Sequence, residues 1–248
     1  MVHRTALVAT LFVLASFASA EPTAGWRHDA TGLFPDADPP TSWSPESNVL
    51  WKTPLPEWSN ASPAVLADRL FICAEPTTLI CVSTRDGSVL WKRENNYASA
   101  MTAEELAEAK ARQEKAEPIR KTLGPLHKEM KKVRGKLRKD RDNEDLKREY
   151  REIRKRIRDV ERRLRPLEPL RLPKTHNVNG YSSPTPVTDG ERVYALFGTG
   201  LAACYDLEGN RKWARIIEKP EHGWGHSASP VLVGGRLICH IVKLTALD

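Results

Sequence analysis

The sequence predicts an all-β protein of repeated four-stranded antiparallel units, interrupted once by an inserted α-helical antiparallel coiled-coil hairpin. Three observations support this fold class. Short β-prone runs recur around turns, with the same spacing of proline and arginine each time. A turn glycine stands four residues before a tryptophan in two places. Between these repeats, residues 97–175 have a helical pattern, in which apolar side chains recur every three or four positions.

The N-terminal residues 1–20 have the pattern of a signal peptide. His3 and Arg4 form a short basic region, an apolar run of thirteen residues follows, and small residues occupy positions 18–20. A retained membrane anchor is the alternative, but the run is shorter than the ~20 residues that a helical span needs. We therefore expect cleavage before Glu21 and a periplasmic or secreted protein, with no transmembrane segment in the mature chain.

A strand–turn–strand pattern occurs three times, in segments that begin at Ser62, Thr185 and Ser229. In each segment a proline precedes an arginine by six residues, and turn-forming residues lie between them. The runs on either side of the turn are β-prone, which is typical of a β-hairpin. The proline is tolerated at the first residue of a strand, because no ladder hydrogen bond is lost there.

A second pair of strands follows the first two of these hairpins. This pair of strands is indicated by a tight turn in which a glycine stands four residues before a tryptophan. The two examples are Gly87 with Trp91 and Gly209 with Trp213. One unit is therefore predicted to contain four short antiparallel strands. Residues 48–55 resemble the closing tryptophan strand of such a unit, without the strands that would precede it.

The four cysteines all lie in apolar, strand-like runs. Their spacings match no zinc-binding pattern, and no Cys-x-x-Cys motif occurs. Burial as small hydrophobic residues is the favoured interpretation, and a disulfide between Cys73 and Cys81 across neighbouring strands is the main alternative. The other two cysteines are Cys204 and Cys239.

The inserted segment 97–175 has the signals of a helical hairpin. Between Leu123 and Leu167 the apolar positions alternate in spacings of three and four, which is the pattern of a coiled-coil seam. Thr102 with a glutamate three residues later forms the pattern of a capping box at the first helix. Asn143 suits the N-cap of the second long helix.

Prolines set limits on the helices of this segment. Pro118 and Pro125 are predicted to kink or divide the first helix, so that tight pairing begins near Leu126. Pro166 and Pro169 are predicted to end the second helix.

Positive charge is concentrated in this helical arm. Residues 101–170 hold 23 lysines and arginines against 15 acidic residues, a net charge of +8 in a chain whose total is +7. A solvated helix surface is the default interpretation, because acids are interleaved with the bases. Nucleic acid is disfavoured, since Tyr150 is the only Phe, Tyr or Trp residue of the arm and export is predicted. The remaining alternatives are envelope proteins and an anionic envelope surface as partners of the arm.

The four-stranded unit resembles the repeats of the pyrroloquinoline-quinone-type (PQQ-like) β-propeller family, which includes quinoprotein dehydrogenases and the propeller lipoprotein of outer-membrane protein assembly. Those repeats carry the docking signature A-x-D-x-x-T-G-x-x-x-W, and both Gly–Trp pairs fit its final positions. Ser83 stands in place of the aspartate, and Asp86 and Glu208 stand in place of the threonine. The resemblance implies that the two glycines and two tryptophans dock neighbouring blades.

The resemblance covers about residues 43–96 and 176–248 and implies a partial β-propeller. A repeat length of 44 residues leaves room for only about three and a half blades, fewer than propellers usually close with. We therefore expect a truncated chain, or one completed by blades from another chain. The predicted divisions are signal peptide 1–20, leader and first blade 21–96, basic helical hairpin 97–175, and second and incomplete third blade 176–248.

No motif of a catalytic site is evident in the sequence. It contains no P-loop, no G-x-S-x-G and no H-E-x-x-H, and its acidic residues are scattered among turns. The sequence therefore predicts a protein-interaction scaffold of the cell envelope, without catalysis, cofactor or metal. The alternative is a fragment of a PQQ-dependent quinoprotein oxidoreductase of the alcohol or sugar dehydrogenase type, which would require PQQ and calcium.

Polar residues in the loops before the first strands are the candidates for ligand binding. If these strands line a central channel, Asn60, Ser182 and His226 lie near one mouth of it and could bind a small molecule or a peptide. His222 and His226 are four residues apart, but the neighbouring glycines indicate a loop. A structural or surface role is therefore favoured over metal binding for the two histidines.

Overall fold

The computed structural model describes residues 24–29, 31–35, 37–221, 223–241 and 243–247. The predicted signal peptide lies outside these residues. Three antiparallel sheets and a helical hairpin make up the regular structure. None of the helices in this part of the chain is long and apolar enough to cross a membrane.

The first sheet has four antiparallel strands in the order in which they occur along the chain, as predicted. β3 is almost entirely buried, the residues of β2 are buried or half-buried, and in β4 only Trp91 is fully buried. The strands are β1 (Ala64–Leu66), β2 (Arg69–Ala74), β3 (Thr78–Ser83) and β4 (Val89–Glu94).

The second sheet repeats this order, and the third sheet has three strands among the described residues. The second comprises β5 (Val187–Thr188), β6 (Arg192–Leu196), β7 (Leu201–Asp206) and β8 (Arg211–Ile216). The third comprises β9 (Val231–Val233), β10 (Arg236–His240) and β11 (Leu244–Leu247). Four-stranded antiparallel units are thus confirmed.

Apolar side chains on both faces of the second sheet hold the three sheets together. One face packs against the first sheet, in a core that includes Phe71, Leu79, Val193, Phe197 and Tyr205. The opposite face packs against the third sheet, in a core that includes Tyr194, Leu196, Cys204, Leu237 and Cys239. Both faces are buried because successive side chains of a strand point to opposite sides of the sheet.

The first strands of the three sheets lie side by side. β1 contacts β5, and β5 contacts β9. The Thr185 amide also donates a hydrogen bond of 3.0 Å to the hydroxyl of Ser229, which joins the entries to the second and third sheets. In the part of the chain that the structure describes, the sheets stack in sequence order and do not close into a ring.

Residues 48–55 do not form the strand that was predicted. They contain no regular hydrogen-bonded element, yet Trp51 and Leu55 pack against Ile80 and Val82 on the outer face of the first sheet. The segment therefore covers this face through its side chains.

Three helices form the inserted hairpin, and short 3₁₀ helices, Tyr97–Ala100 and Arg165–Leu167, flank them. The predicted capping box is present, with Thr102 and Glu105 exchanging hydrogen bonds of 2.8 and 3.2 Å. The Asn143 side chain accepts a hydrogen bond of 3.0 Å from the Leu146 amide, as expected of an N-cap. The helices are α1 (Ala103–Lys121), α2 (Leu123–Lys139) and α3 (Glu144–Leu164).

The first predicted helix is divided at Thr122, between α1 and α2. Pro118 nevertheless lies inside α1, and the packing begins earlier than the predicted Leu126. Ala116 is fully buried in the same core as Ile153 and Leu164 of α3. The small alanine side chain lets α1 join the contact, so the hairpin core contains residues from all three helices.

The base of the hairpin is attached to the second sheet. Tyr97 is buried, and its hydroxyl donates a hydrogen bond of 2.7 Å to the Thr199 carbonyl. The ammonium group of Lys219 lies 3.9 Å from the centre of the Tyr97 ring. This arrangement gives a cation–π contact at the point where the chain leaves the first sheet.

A buried carboxylate joins α1 to the segment that returns to the sheets. Glu168 lies between Arg120, at 2.6 Å, and Arg171, at 2.7 Å. Burial raises the pKa of Glu168, but the hydrogen bonds from Arg171 and Arg120 lower it more, so that it lies below its ordinary value of 4.5. The ionised form of Glu168 is therefore favoured in the folded protein.

All four cysteines are free and buried. The register places Cys73 opposite Leu79 and Cys81 opposite Phe71, so the two cysteines are not cross-strand partners. Burial raises the pKa of Cys81 and of Cys204 to about 11. The structure thus agrees with the interpretation of the cysteines as small buried hydrophobic residues.

The Glu168 contact predicts a pH-dependent stability of the hairpin base. Because the pKa is lower in the folded than in the unfolded state, the stabilisation is present above the unfolded pKa and is lost as the pH falls through the folded pKa. Near neutral pH, Glu168→Gln should lower the free energy of unfolding by about 1–3 kcal/mol. This difference should shrink below about pH 4. Urea unfolding followed by helical circular dichroism at both pH values measures it.

Glu117→Gln is the matched control, because Glu117 also pairs with Arg120 but lies on the surface. Its effect should stay below about 1 kcal/mol. A loss in Glu168→Gln that remains equally large in acid would contradict the assignment.

Candidate functional site

Trp91 of the first sheet docks on the glycine turn of the second sheet. Its indole nitrogen donates a hydrogen bond of 2.8 Å to the Leu207 carbonyl, and its ring lies 6.0 Å from that of Tyr205. Gly209 has a φ of +81°, and a Cβ atom there would lie 2.7 Å from the indole. Only glycine combines this backbone conformation with so close an approach of the ring.

Trp51 repeats this arrangement one unit earlier. Its indole nitrogen donates a hydrogen bond of 2.9 Å to the Thr84 carbonyl, and a Cβ atom at Gly87 would lie 2.6 Å from its ring. In the sequence pattern, each glycine is paired with the tryptophan four residues later in the same unit. In the structure, each of these two glycines contacts the tryptophan of the preceding unit. Trp213 packs against the core shared by the second and third sheets, where its ring centre lies 6.2 Å from that of Tyr194.

The loops that precede the first strands meet at one end of the sheets. Asn60 donates a hydrogen bond of 2.5 Å to the Val178 carbonyl. Asn179 donates one of 3.2 Å to the Trp224 carbonyl, and Thr175 donates one of 2.9 Å to the same oxygen. The three loops, within residues 56–63, 175–186 and 223–230, therefore form one cluster.

Glu75 ties the first sheet to this loop cluster. One of its carboxylate oxygens accepts hydrogen bonds of 2.6 Å from the amides of Tyr181 and Ser182. Gly198 makes the corresponding link one sheet later through its backbone carbonyl, which accepts a hydrogen bond of 3.4 Å from the His226 amide. The role of Glu75 has no signal in the sequence, because a Glu-Pro pair between two strands indicates only a turn.

The predicted ligand residues lie in the cluster but differ in exposure. Ser182 is fully buried, and its hydroxyl has no hydrogen-bond partner among the described residues. His226 is buried as well, whereas Asn60 is exposed and contacts the Val178 carbonyl. His222 lies outside the described residues. The structure brings the three loops together, and ligand binding by these side chains stays a prediction.

Large apolar side chains project from the outer surface of the cluster. Trp58 is 44% exposed, Val178 65% and Trp224 60%, and His176 stacks on Trp224 at 4.7 Å between ring centres. We call Trp58, Val178 and Trp224 the loop patch. Exposed apolar side chains that lie together often mark a surface for binding another protein.

A concave surface lies where α1 meets β8. This open groove has a volume of about 560 Å³ and is lined by acidic Glu105 and Glu108 and basic Arg112 and Arg215. Its mixed charge gives no preference for one class of ligand.

Residues 41–117 match a family model described as outer membrane protein assembly factor BamB, of the PQQ-like repeat type. These residues are therefore similar to PQQ-like repeats, in line with the resemblance seen in the sequence. The match includes the Trp51–Gly87 contact and the whole first sheet, and it ends within α1.

Comparison with solved structures finds quinohemoprotein alcohol dehydrogenases. The enzyme from Comamonas testosteroni is 11% identical with a TM-score of 0.36, and ADHIIG from Pseudomonas putida HK5 is 12% identical with a TM-score of 0.37. The alignments cover 73% and 76% of this chain but only 17% and 18% of those enzymes. No curated protein matches the chain.

The PQQ and calcium of the dehydrogenase alternative require a set of converging donors. Within the described ranges, no group of three or more His, Cys, Asp or Glu side chains could hold a metal ion. We therefore derive no catalytic step from a bound calcium ion.

The docking contact predicts that Gly209→Ala is strongly destabilising. The new methyl group would collide with Trp91, and the positive φ adds strain of about 1–2 kcal/mol. Urea unfolding should show a total loss of about 3 kcal/mol. Gly235→Ala is the control, because Gly235 has a similar φ of +75° but no atom within 4 Å of a Cβ. Equal losses in the two variants would mean that the indole contact contributes nothing.

The Glu75 link predicts a local loosening of the loop cluster in Glu75→Ala. Two hydrogen bonds to a charged acceptor are lost, which costs about 2–4 kcal/mol. The amides of Tyr181 and Ser182 should exchange with deuterium at least about tenfold faster. Glu57→Ala, at an exposed position of the neighbouring loop, should leave both rates unchanged. Unaltered protection in Glu75→Ala would refute this role.

Proposed function

We propose that this protein belongs to the PQQ-like repeat family and is a non-catalytic scaffold that binds other proteins in the cell envelope through the loop patch. The description of the matched family, an outer membrane protein assembly factor, supports both the location and the binding role. The observation that carries the proposal is the exposure of two tryptophans on a cluster of hydrogen-bonded loops. Tryptophan is enriched among the residues that dominate protein interfaces.

In this proposal the three sheets are successive blades of a β-propeller. The adjacent first strands and the contact of Trp91 with Gly209, which joins the first sheet to the second, support that arrangement. The blades would hold the loop patch rigid, since its loops are anchored by Asn60, Thr175 and Glu75. A rigid surface loses less entropy on binding than a mobile one, which favours affinity.

A double substitution in the loop patch tests the proposed function. Trp58→Ala with Trp224→Ala should lower the affinity for the envelope partner at least about tenfold, because truncating such interface residues commonly costs 2 kcal/mol or more. The partner is first identified by cross-linking the full chain in envelope fractions, and its affinity is then measured with purified proteins.

Trp43→Ala is the matched control. Trp43 is 72% exposed and lies in the leader, outside the loop patch. The control should bind like the unaltered protein, with both variants folded by circular dichroism. If the double variant binds as tightly as the control, the loop patch is not the contact surface.

A further inference from the structure

The excess positive charge of the hairpin belongs mainly to one helix. Within its bounds α2 has seven lysines and arginines and one acidic residue, a net charge of +6. α3 has nine against six, a net charge of +3, and α1 has five of each. The sequence pattern shows a basic arm, whereas the helix boundaries assign most of its net charge to α2.

The cations of α2 are also the least neutralised. Its single acidic residue, Glu129, forms an ion pair of 3.3 Å with Arg156 of α3 and so neutralises a cation of the other helix. On α3, Lys147, Arg148 and Arg162 pair with acids of their own helix. Within the described ranges, no ion pair reaches a lysine or arginine of α2.

The unpaired cations include a set of lysines that point away from the hairpin core. The buried residues of α2, Leu123, Leu126 and Val133, occupy one side of the helix. At 3.6 residues per turn the opposite side carries four exposed lysines. We call these residues the lysine face: Lys128, Lys131, Lys132 and Lys139.

Gly135 leaves the middle of the lysine face open. A Cβ atom at this position would meet no atom within 4 Å. The face extends for roughly 16 Å along α2, at 1.5 Å per residue. Its lysine side chains are long and flexible, so they can follow an uneven layer of charges.

We propose that the lysine face binds the surface of an anionic lipid bilayer. This inference rests on the envelope location in the proposed function. Among the described residues of 97–175, no large hydrophobic side chain is exposed, so the hairpin lacks the apolar anchors that dominate protein interfaces. Tyr150, the one Phe, Tyr or Trp residue of α1–α3, is on α3 next to Arg154, and none of the four positions of the lysine face carries a ring on which a nucleic-acid base could stack.

An anionic bilayer surface is complementary to the lysines of α2 that form no ion pair. Anionic headgroups form a broad, laterally mobile layer that needs no shape-complementary pocket. Each lysine close to such a layer contributes about 1 kcal/mol of attraction, and the attraction decreases with salt. The rest of the protein carries a net charge of −1, so the hairpin is the part that such a surface would attract.

Co-sedimentation of the full chain with vesicles tests the inference. The protein should bind vesicles of phosphatidylcholine with phosphatidylglycerol, release from them as salt rises, and leave pure phosphatidylcholine vesicles unbound. Reversing the four charges of the lysine face to glutamate should lower binding at least about thirtyfold. The substitutions are Lys128→Glu, Lys131→Glu, Lys132→Glu and Lys139→Glu.

A matched variant reverses four exposed cations of α3 and so has the same net charge. Its substitutions are Arg151→Glu, Arg154→Glu, Lys155→Glu and Arg158→Glu. It should bind much more strongly than the lysine-face variant, with helical circular dichroism unchanged in both. Equal losses would show that only net charge matters, and the lysine face would be refuted.

Two further outcomes would also overturn the inference. One is equal binding to vesicles with and without phosphatidylglycerol, and the other is stronger binding to DNA than to anionic vesicles at the same salt. The lysine-face variant should keep the loop-patch affinity for the protein partner. If the unaltered protein binds its protein partner but does not bind anionic vesicles, the membrane inference fails and the scaffold function stands.

Discussion

The packing of an indole on the glycine turn of the following sheet is the contact on which the rest of the structure depends. A sheet of four short strands leaves two apolar faces, and it is stable only when both are covered. Trp51 and Trp91 each cover the next sheet at the same place and donate a hydrogen bond from the ring to its turn. Both contacts remove apolar area from water, and the contact of Trp91 also sets the relative position of two sheets.

Stacking in this way brings together loops that are far apart in the chain. The second sheet lies between the other two, and its first strand lies between theirs. Glu75 and Gly198 then join each sheet to the loop that enters the next. The loop patch is a consequence of this order, because Trp58 and Trp224 belong to loops of the first and third units.

The hairpin has a core of its own and is joined to the sheets at its base. Ile153 and Leu164 are buried among residues from all three helices, away from the cores between sheets. The Tyr97 hydrogen bond and the Glu168 ion pairs make the junction. Charge can therefore accumulate on α2 without repelling neighbours in the sheets, since among the described residues α2 packs mainly against α3 and α1.

Features with local causes could be predicted from the sequence. The hairpin turns, the capping box at Thr102 and the N-cap at Asn143 each depend on residues within a few positions of one another, and so does the helical spacing of the apolar residues. Net charge is likewise a property of composition. Only the tertiary structure decided three pairings: Trp91 with Gly209, Glu75 with the Ser182 amide, and Glu129 with Arg156. The partners in each pair are distant in the chain, and their local sequences carry no signal of the pairing.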